Sequence, residues 1–146
     1  MAERTVFQSM SQKRVVSLGP SATVYEAACV MTGANTSSVV VMEPPDKLLG
    51  IVTERDLTTR VLARALDPKT TTLSQVMTSN PLCVTPQTKV SDAVLMMIER
   101  GFRHLPIIGP EHKVMGVFSV RDALPREIDT ALSQTEFNEQ VNDALG

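Results

Sequence analysis

The 146-residue chain contains no tryptophan, one tyrosine, four phenylalanines, two cysteines and two histidines. Cys29 and Cys83 stand alone, with no CxxC pair and no His spaced to complete a zinc site. That excludes a disulfide framework and the common structural zinc modules. No apolar run approaches the roughly 20 residues that cross a bilayer. The start, Met1-Ala2-Glu3-Arg4-Thr5, lacks the charged-then-apolar pattern of a secretory signal. An excess of positive charge is missing too: 14 Lys and Arg against 16 Asp and Glu leave a formal charge of −2. A surface that neutralises nucleic-acid phosphates needs a basic balance, so a nucleic-acid partner is not expected. There is no GxxxxGK[ST], GxGxxG, HExxH or GxSxG, and no set of nucleophile, base and oxyanion hole. The expectation is a soluble cytoplasmic protein, not an enzyme, that holds no metal and contacts neither nucleic acid nor membrane.

What is present is a globular composition, with 42% hydrophobic and 21% charged residues. The length allows one ordinary domain or two very small ones, and could bury roughly 70% of the unfolded surface. An internal repeat decides between them. Pro20, Val24, Ala27, Met31, Pro44, Lys47, Gly50, Arg55 and Asp56 recur as Pro86, Val90, Ala93, Met97, Pro110, Lys113, Gly116, Arg121 and Asp122, without a gap. Glu26 with Asp92, Ile51 with Val117 and Thr53 with Ser119 add similar pairs. The chain is two copies of one unit.

Each copy reads β-α-β-β-α. Val15-Val16-Ser17-Leu18 and Leu82-Cys83-Val84-Thr85 are β-rich runs stopped by Pro20 and Pro86. Val24, Ala27, Ala28 and Met31 fall at helical spacing, as do Val90, Ala93, Val94 and Met97. Thr23-x-x-Glu26 is a capping box for the first of these helices. Residues 39–42 and 48–52 then flank a Pro-rich turn, and residues 105–108 and 114–118 flank another. A second helix begins near Thr53 or Ser119; it runs to about Leu66 in the first copy and is interrupted by Pro125 in the second.

The expected organisation is an N-terminal segment (1–13), a first repeat (14–67), a linker with a short helical step (68–79), a second repeat (80–128) and a C-terminal helix or tail (129–146). Neither repeat is large enough to be comfortably stable alone. Residues Val94 to Ile98 are apolar on nearly every side of their helix, more than one partner covers. The repeats should therefore pack on each other, and the pair on a second chain, as a homodimer. Residues 1–13 fray or reach across to that second chain. The apolar stripe Ile128, Leu132, Phe137, Val141 and Leu145 docks on the dimer or contacts something else.

Two constellations carry chemistry. Thr53-Glu54-Arg55-Asp56 and Ser119-Val120-Arg121-Asp122 each follow a strand. A capping box explains the hydroxyl and the acid; a ribose diol held by the short acid, with phosphate near the helix start, is a compatible second reading. Arg55 and Arg121 are not explained by capping, because a cation at a helix N-terminus is mildly unfavourable. Arg103-His104, entering the strand Leu105-Pro106-Ile107, could present two basic groups to an anion; hydrogen bonding of a structural His is the other reading. Ser37 and Ser38 hold the equivalent places in the first copy. Pro106 frees a backbone position from strand pairing, as at an edge where a flat ring could lie. The methionines are core filler, and both cysteines, one in a crowded helix and one in a strand, are inert.

The doubled unit, together with Gly-Ile-Val-Thr-Glu-Arg-Asp, Gly-Val-Phe-Ser-Val-Arg-Asp, Val-Met-Thr-Ser-Asn-Pro-Leu-Cys-Val-Thr-Pro and Arg-His-Leu-Pro-Ile, resembles a pair of CBS domains (the cystathionine β-synthase domain family, or Bateman module). The likeness covers roughly residues 10–128. It implies an α/β (α+β) fold in which two β-α-β-β-α repeats pack as a pseudo-twofold module, commonly dimeric. It implies two clefts that bind adenosine-containing ligands: AMP first, with ATP, ADP or NADH as alternatives and S-adenosylmethionine less suited. Asp56 and Asp122 would hold ribose with Thr53 and Ser119. Arg55, Arg103, His104 and Arg121 would hold phosphate. Groups near Ser17, Leu18, Val39, Val40, Cys83, Val84, Leu105 and Pro106 would line the adenine pockets. The resemblance further implies a stand-alone regulatory module whose output is read by a protein partner or by its own oligomer state. The competing reading is a ligand-independent scaffold in which Ser/Thr-x-x-Asp only caps helices.

Overall fold

Thr5 and Thr72 open the two halves of the molecule in the same way. The structure, a computed structural model, describes residues 3–10 and 14–145; the rest of the expected terminal segments, residues 1, 2, 11–13 and 146, lies outside the described residues. Thr5 caps a one-turn helix, α1 (Val6–Ser9). Its N–H donates to Gln8 Oε1 at 2.9 Å, and the Gln8 N–H donates to Thr5 Oγ1 at 3.2 Å. Thr72 repeats the box before α4 (Leu73–Val76), its N–H donating to Gln75 Oε1 at 2.8 Å. Each step continues to a methionine, Met10 or Met77.

The two steps are exchanged. α1 precedes the first repeat but packs into the second, where Val6 and Met10 join Val84, Val90, Leu105 and Phe118 in one core. α4 precedes the second repeat but gives Leu73 and Val76 to the first core, with Val24, Val39 and Val52. The backbone bonds match pairwise. Val6 N–H donates to Thr88 O at 2.8 Å and Val90 N–H to Arg4 O at 3.0 Å; Leu73 N–H donates to Ala22 O and Val24 N–H to Thr71 O, both at 2.9 Å. The described part of the N-terminal segment therefore neither frays nor needs a second chain. Its apolar Val6 and Met10, buried at 0% and 5% exposure, hold it on its own second repeat.

In the first repeat β1 (Ser17–Leu18) pairs in parallel with β2 (Ser38–Glu43). β2 pairs antiparallel with β3 (Lys47–Thr53), and β3 with β4 (Thr78–Ser79), giving a four-stranded sheet in that order. The helix α2 (Val24–Ala34) starts at Thr23, whose hydroxyl accepts from the Glu26 N–H at 3.1 Å. It ends at Asn35 in the left-handed conformation, a conformation that Asn tolerates. In the second repeat α5 (Val90–Arg100) ends at Gly101, φ 77°, and leads to β5 (His104–Ile108), which pairs antiparallel with β6 (Val114–Ser119).

The expected strand over residues 82–85 is a single bridge, Val84 to Ile107. Pro106 is the cause. In the first repeat the Val40 N–H donates to Val16 O at 3.0 Å. Pro106 occupies the place of Val40 and has no N–H to give, so only the Val84 N–H to Pro106 O (3.0 Å) and Ile108 N–H to Val84 O (2.8 Å) bonds remain.

The second helices also depart from expectation. After β3 the chain makes one helical turn, α3 (Glu54–Asp56), then widens over Leu57–Leu62 into i→i−5 bonding, with Ala63 N–H on Thr58 O at 2.9 Å. After β6 it makes a tight turn, Val120–Asp122, and Pro125 starts α6 (Pro125–Leu145) rather than interrupting a helix. A proline at the first helical position has no N–H to leave unsatisfied. α6 lies on α5 and buries Ala131, while Leu132, Phe137, Val141 and Leu145 stay exposed. With α1, it covers much of the α5 surface for which a second chain was expected: Val90, Ala93, Val94 and Met97 are all buried within the chain.

Candidate functional site

The strand-to-turn junctions after β3 and β6 place the two acids. The Thr53 N–H donates to Asp56 Oδ2 at 2.9 Å, and the Asp56 N–H donates to Thr53 Oγ1 at 3.3 Å. The Ser119 N–H donates to Asp122 Oδ2 at 3.1 Å, and the Arg121 N–H donates to Ser119 Oγ at 3.3 Å. Capping is therefore real in both copies. It occupies Oδ2 in each and leaves Oδ1. Asp56 Oδ1 lies 3.6 Å from Arg60 Nε, an i,i+4 pair. Among the described residues no ion pair engages Asp122.

Two cavities open beside these acids. The Asp56 cleft, about 380 Å³, takes Thr53 to Asp56 from the first repeat and Gly101 to His104 from the second, with Pro81 and Leu82 as its apolar wall. The Asp122 cleft, about 260 Å³, takes Ser119, Arg121 and Asp122 from the second repeat and Asn35 to Ser38 from the first, with Val16 and Met10 as apolar wall. Each cleft thus joins the acid motif of one copy to the strand entry of the other. Their volumes bracket the lower end of the range of small-molecule sites.

Cations crowd both mouths. Arg55, Arg60 and Arg103 line the Asp56 cleft; Arg14 and Arg121 line the Asp122 cleft. Arg60 is partly committed, its Nη1 donating to Val76 O at 2.7 Å, and Arg14 Nη2 donates to Ala34 O at 3.1 Å. Among the described residues Arg55, Arg103 and Arg121 form no ion pair. Unpaired guanidinium groups beside a carboxylate and a capped turn form an arrangement suited to a polyol that carries phosphate.

His104 stands where the copies meet. Its Nε2 is 2.7 Å from Ser37 Oγ, and among the described residues Ser37 and His104 are the two that line both cavities. Burial holds the imidazole below its usual pKa, with Glu54, Asp56 and Asp122 opposing that shift and Arg103 adding to it.

The structure brings Thr53, Arg55, Asp56, Arg103 and His104 together in one cleft, and Ser119, Arg121, Asp122 and His104 in the other. Ser17, Leu18, Val39, Val40, Cys83, Val84, Leu105 and Pro106 lie in the adjoining strands and core and line neither cavity. Val39, Val40 and Leu105 have no exposed surface at all. Val16 and Leu82 supply the walls instead, one residue before Ser17 and Cys83, and along an extended chain one residue of offset turns the side chain to the other face. Burial raises the pKa of the Cys83 thiol, as befits an inert group. Cys29 is exposed on α2 instead of crowded. Sequence reasoning also missed Arg14 and Arg60. The i,i+4 spacing of Asp56 and Arg60 was a usable signal; Arg14 had none, since it precedes β1 in an unpatterned stretch. Among the described residues no three His, Cys, Asp or Glu side chains gather as a metal site.

The pattern that describes the CBS domain matches residues 7–63 and 73–127. Both ranges take in the acid motifs and part or all of the step helices. The chain is 32% identical over 143 residues to the meiotically up-regulated gene 70 protein of Schizosaccharomyces pombe, covering 88% of this chain and 20% of that protein. It is 34% identical over 130 residues to a 17.7 kDa protein of Acidianus ambivalens, covering 89% of this chain and 77% of that one. Among solved structures, a hexameric CBS-CP12 protein from bloom-forming cyanobacteria superposes with a TM-score of 0.75 at 28% identity, over 82% of this chain and 66% of that one. The chain thus spans a fifth of the fission-yeast protein and about three quarters of the archaeal one.

Proposed function

Because the chain belongs to the CBS domain family and carries two copies of the domain, we propose that it is a regulatory module that binds an adenosine-containing ligand in its two clefts. The observation that carries this is the repeated acid. In each copy a backbone N–H fixes one carboxylate oxygen, while the residue lines a cleft whose arginines are largely unpaired. The other oxygen, beside Arg60 in Asp56 and without an ion pair among the described residues in Asp122, suits the ribose diol. Three arginines in one cleft and two in the other suit phosphate, which favours AMP, ADP, ATP or NADH over S-adenosylmethionine. AMP heads the order as the smallest of these phosphate-bearing ligands. The module regulates and does not catalyse. In this reading it works in the cytoplasm.

Binding joins groups from both repeats, so a ligand that favours one arrangement of the clefts shifts the population of that arrangement. A protein partner or a second copy of the chain reads the shift. The exposed α6 stripe and the hexameric state of the CBS-CP12 relative support an oligomer, of which a homodimer is the smallest.

Calorimetric titration with AMP, ATP, NADH and S-adenosylmethionine tests the reading. A phosphate-bearing nucleotide should bind with up to two sites per chain, Asp56→Ala and Asp122→Ala should each remove one, and the double variant should bind none while remaining folded. Unchanged affinity in the double variant would leave the caps as structure alone and favour the scaffold.

A further inference from the structure

We infer that Ser37 and His104 couple the two clefts through their shared hydrogens, so that filling both clefts with anionic ligands draws one proton from solution. The inference rests on the nucleotide reading of the clefts.

The pair is fixed in place from both sides. The Ser37 carbonyl accepts from the Glu54 N–H at 3.0 Å, and the Arg103 carbonyl accepts from the Val120 N–H at 3.1 Å. Each strand entry is therefore tied to the turn that carries an acid motif, and the side chains of Ser37 and His104 meet between the cavities at 2.7 Å. Among the described residues no other borders both cavities.

A count of hydrogens gives the coupling. Neutral imidazole carries one N–H and serine one O–H. One of these two hydrogens lies in the mutual bond, whichever way it points, so a single donor remains to be offered outward. The imidazolium carries two N–H groups. With the serine O–H that makes three hydrogens, one in the mutual bond and two outward. A neutral pair can serve an anion in one cleft; a protonated pair can serve both.

Which state prevails is set by the groups around the ring. Burial is the largest influence and favours the neutral form, Arg103 adds to it, and Glu54, Asp56 and Asp122 oppose it. Arg14, Arg55, Arg60 and Arg121 also line the two cavities. The free protein therefore holds the pair neutral at neutral pH, with one outward donor. One phosphate is accommodated as it stands. A second finds the arginines of its own cleft but no donor from the Ser37–His104 pair unless His104 takes up a proton, which the two anions together with the three carboxylates favour.

AMP titrations of the wild type and of His104→Gln between about pH 6.5 and 8 test this. Gln offers an amide and does not titrate. In the wild type the second AMP should weaken relative to the first as pH rises, by up to about tenfold per unit, with uptake approaching one proton per chain in buffers of differing ionisation enthalpy. In His104→Gln the ratio of the two constants should be independent of pH and that uptake should vanish; the titration of AMP itself is common to both proteins and cancels. A second readout needs no variant: the His104 ring nitrogens, followed by NMR, should be neutral with one cleft filled and imidazolium with both. AMP binding in both clefts with a pH-independent ratio, or with a neutral His104 throughout, overturns the coupling and leaves the nucleotide reading standing. No binding of AMP or the other nucleotides overturns both.

Discussion

Arg4 and Glu127, 123 residues apart, form a forked ion pair, with Nε donating to Oε2 at 3.1 Å and Nη2 to Oε1 at 2.7 Å. The same Nη2 donates to the Asp122 carbonyl at 3.1 Å, and Glu127 Oε1 accepts from the Leu124 N–H at 2.7 Å. The pair fastens the N-terminal segment to the turn that carries one acid motif and to the start of α6. Glu127 is buried, at 7% exposure. Arg4→Met strands that carboxylate and should cost about 1–3 kcal/mol in denaturant unfolding. An undiminished midpoint would refute the assignment.

The same pair has a pH signature. Hydrogen bonding to Arg4 holds the Glu127 carboxyl below its usual range, with the Leu124 N–H helping. The folded state binds the proton less readily than the unfolded one. The stabilisation is therefore present above the ordinary glutamate range and lost as pH falls through the depressed folded value. Stability measured on the acid limb should fall less steeply in Arg4→Met than in the wild type.

His104 acts on a different limb. Its folded pKa lies below that of the unfolded ring, so the neutral form favours the fold and stability declines as pH drops below about 6.5. Thermal unfolding of the ligand-free protein should show this decline, and His104→Gln should flatten it.

Two glycines should respond in opposite directions. A Cβ at Gly50 would stand 2.6 Å from Thr78 O and 2.7 Å from Met77 Sδ, where β4 crosses β3. Backbone cannot swing aside as a side chain can, so Gly50→Ala should destabilise by about 1–3 kcal/mol. Gly33, near the end of α2, has nothing within 4 Å of such a Cβ. Gly33→Ala should stabilise by about 0.5–1 kcal/mol through helix propensity. Chemical denaturation of both variants checks the contrast.

The last two turns of α6 offer a test of self-association. Phe137, at 59% exposure, and Val141 lie on a helix whose residues from Glu139 onward are all exposed. Phe137→Glu should leave the unfolding midpoint of the monomer within about 0.5 kcal/mol of wild type. If the chain self-associates through α6, as proposed, the variant should have a lower mass by sedimentation than the wild type. An unchanged mass would exclude α6 from self-association.

Much of this architecture was legible because the repeat constrains it twice. Pro20 with Pro86, Gly50 with Gly116 and Asp56 with Asp122 mark the same places in the order β-α-β-β-α twice along the chain. The acid motifs, Arg103 and His104 fell where clefts open, because a charged or hydroxyl residue at a strand end has only the sheet edge to face. The step helices were less legible. Thr5-Val6-Phe7-Gln8 and Thr72-Leu73-Ser74-Gln75 are displaced by one residue relative to the rest of the repeat, and an ungapped comparison passes over them. Val16 and Leu82 wall the cavities where Ser17 and Cys83 were expected to, since a two-residue strand such as β1 gives no alternation to fix its face. Pro125 was misjudged because proline ends one helix and begins another with equal ease, and only the chain after it decides.

The exchange of α1 and α4 has a consequence for dissection. A chain of one repeat has no place on itself for its leading step: the groove that receives Val6 or Leu73 belongs to the other repeat. Such a half-length chain would have to lend its step to a twin and borrow the twin's in return. Carrying both repeats on one polypeptide makes that exchange independent of concentration. Separating the repeats at residues 68–71 would make it concentration-dependent, with two fragments that find each other or remain unfinished.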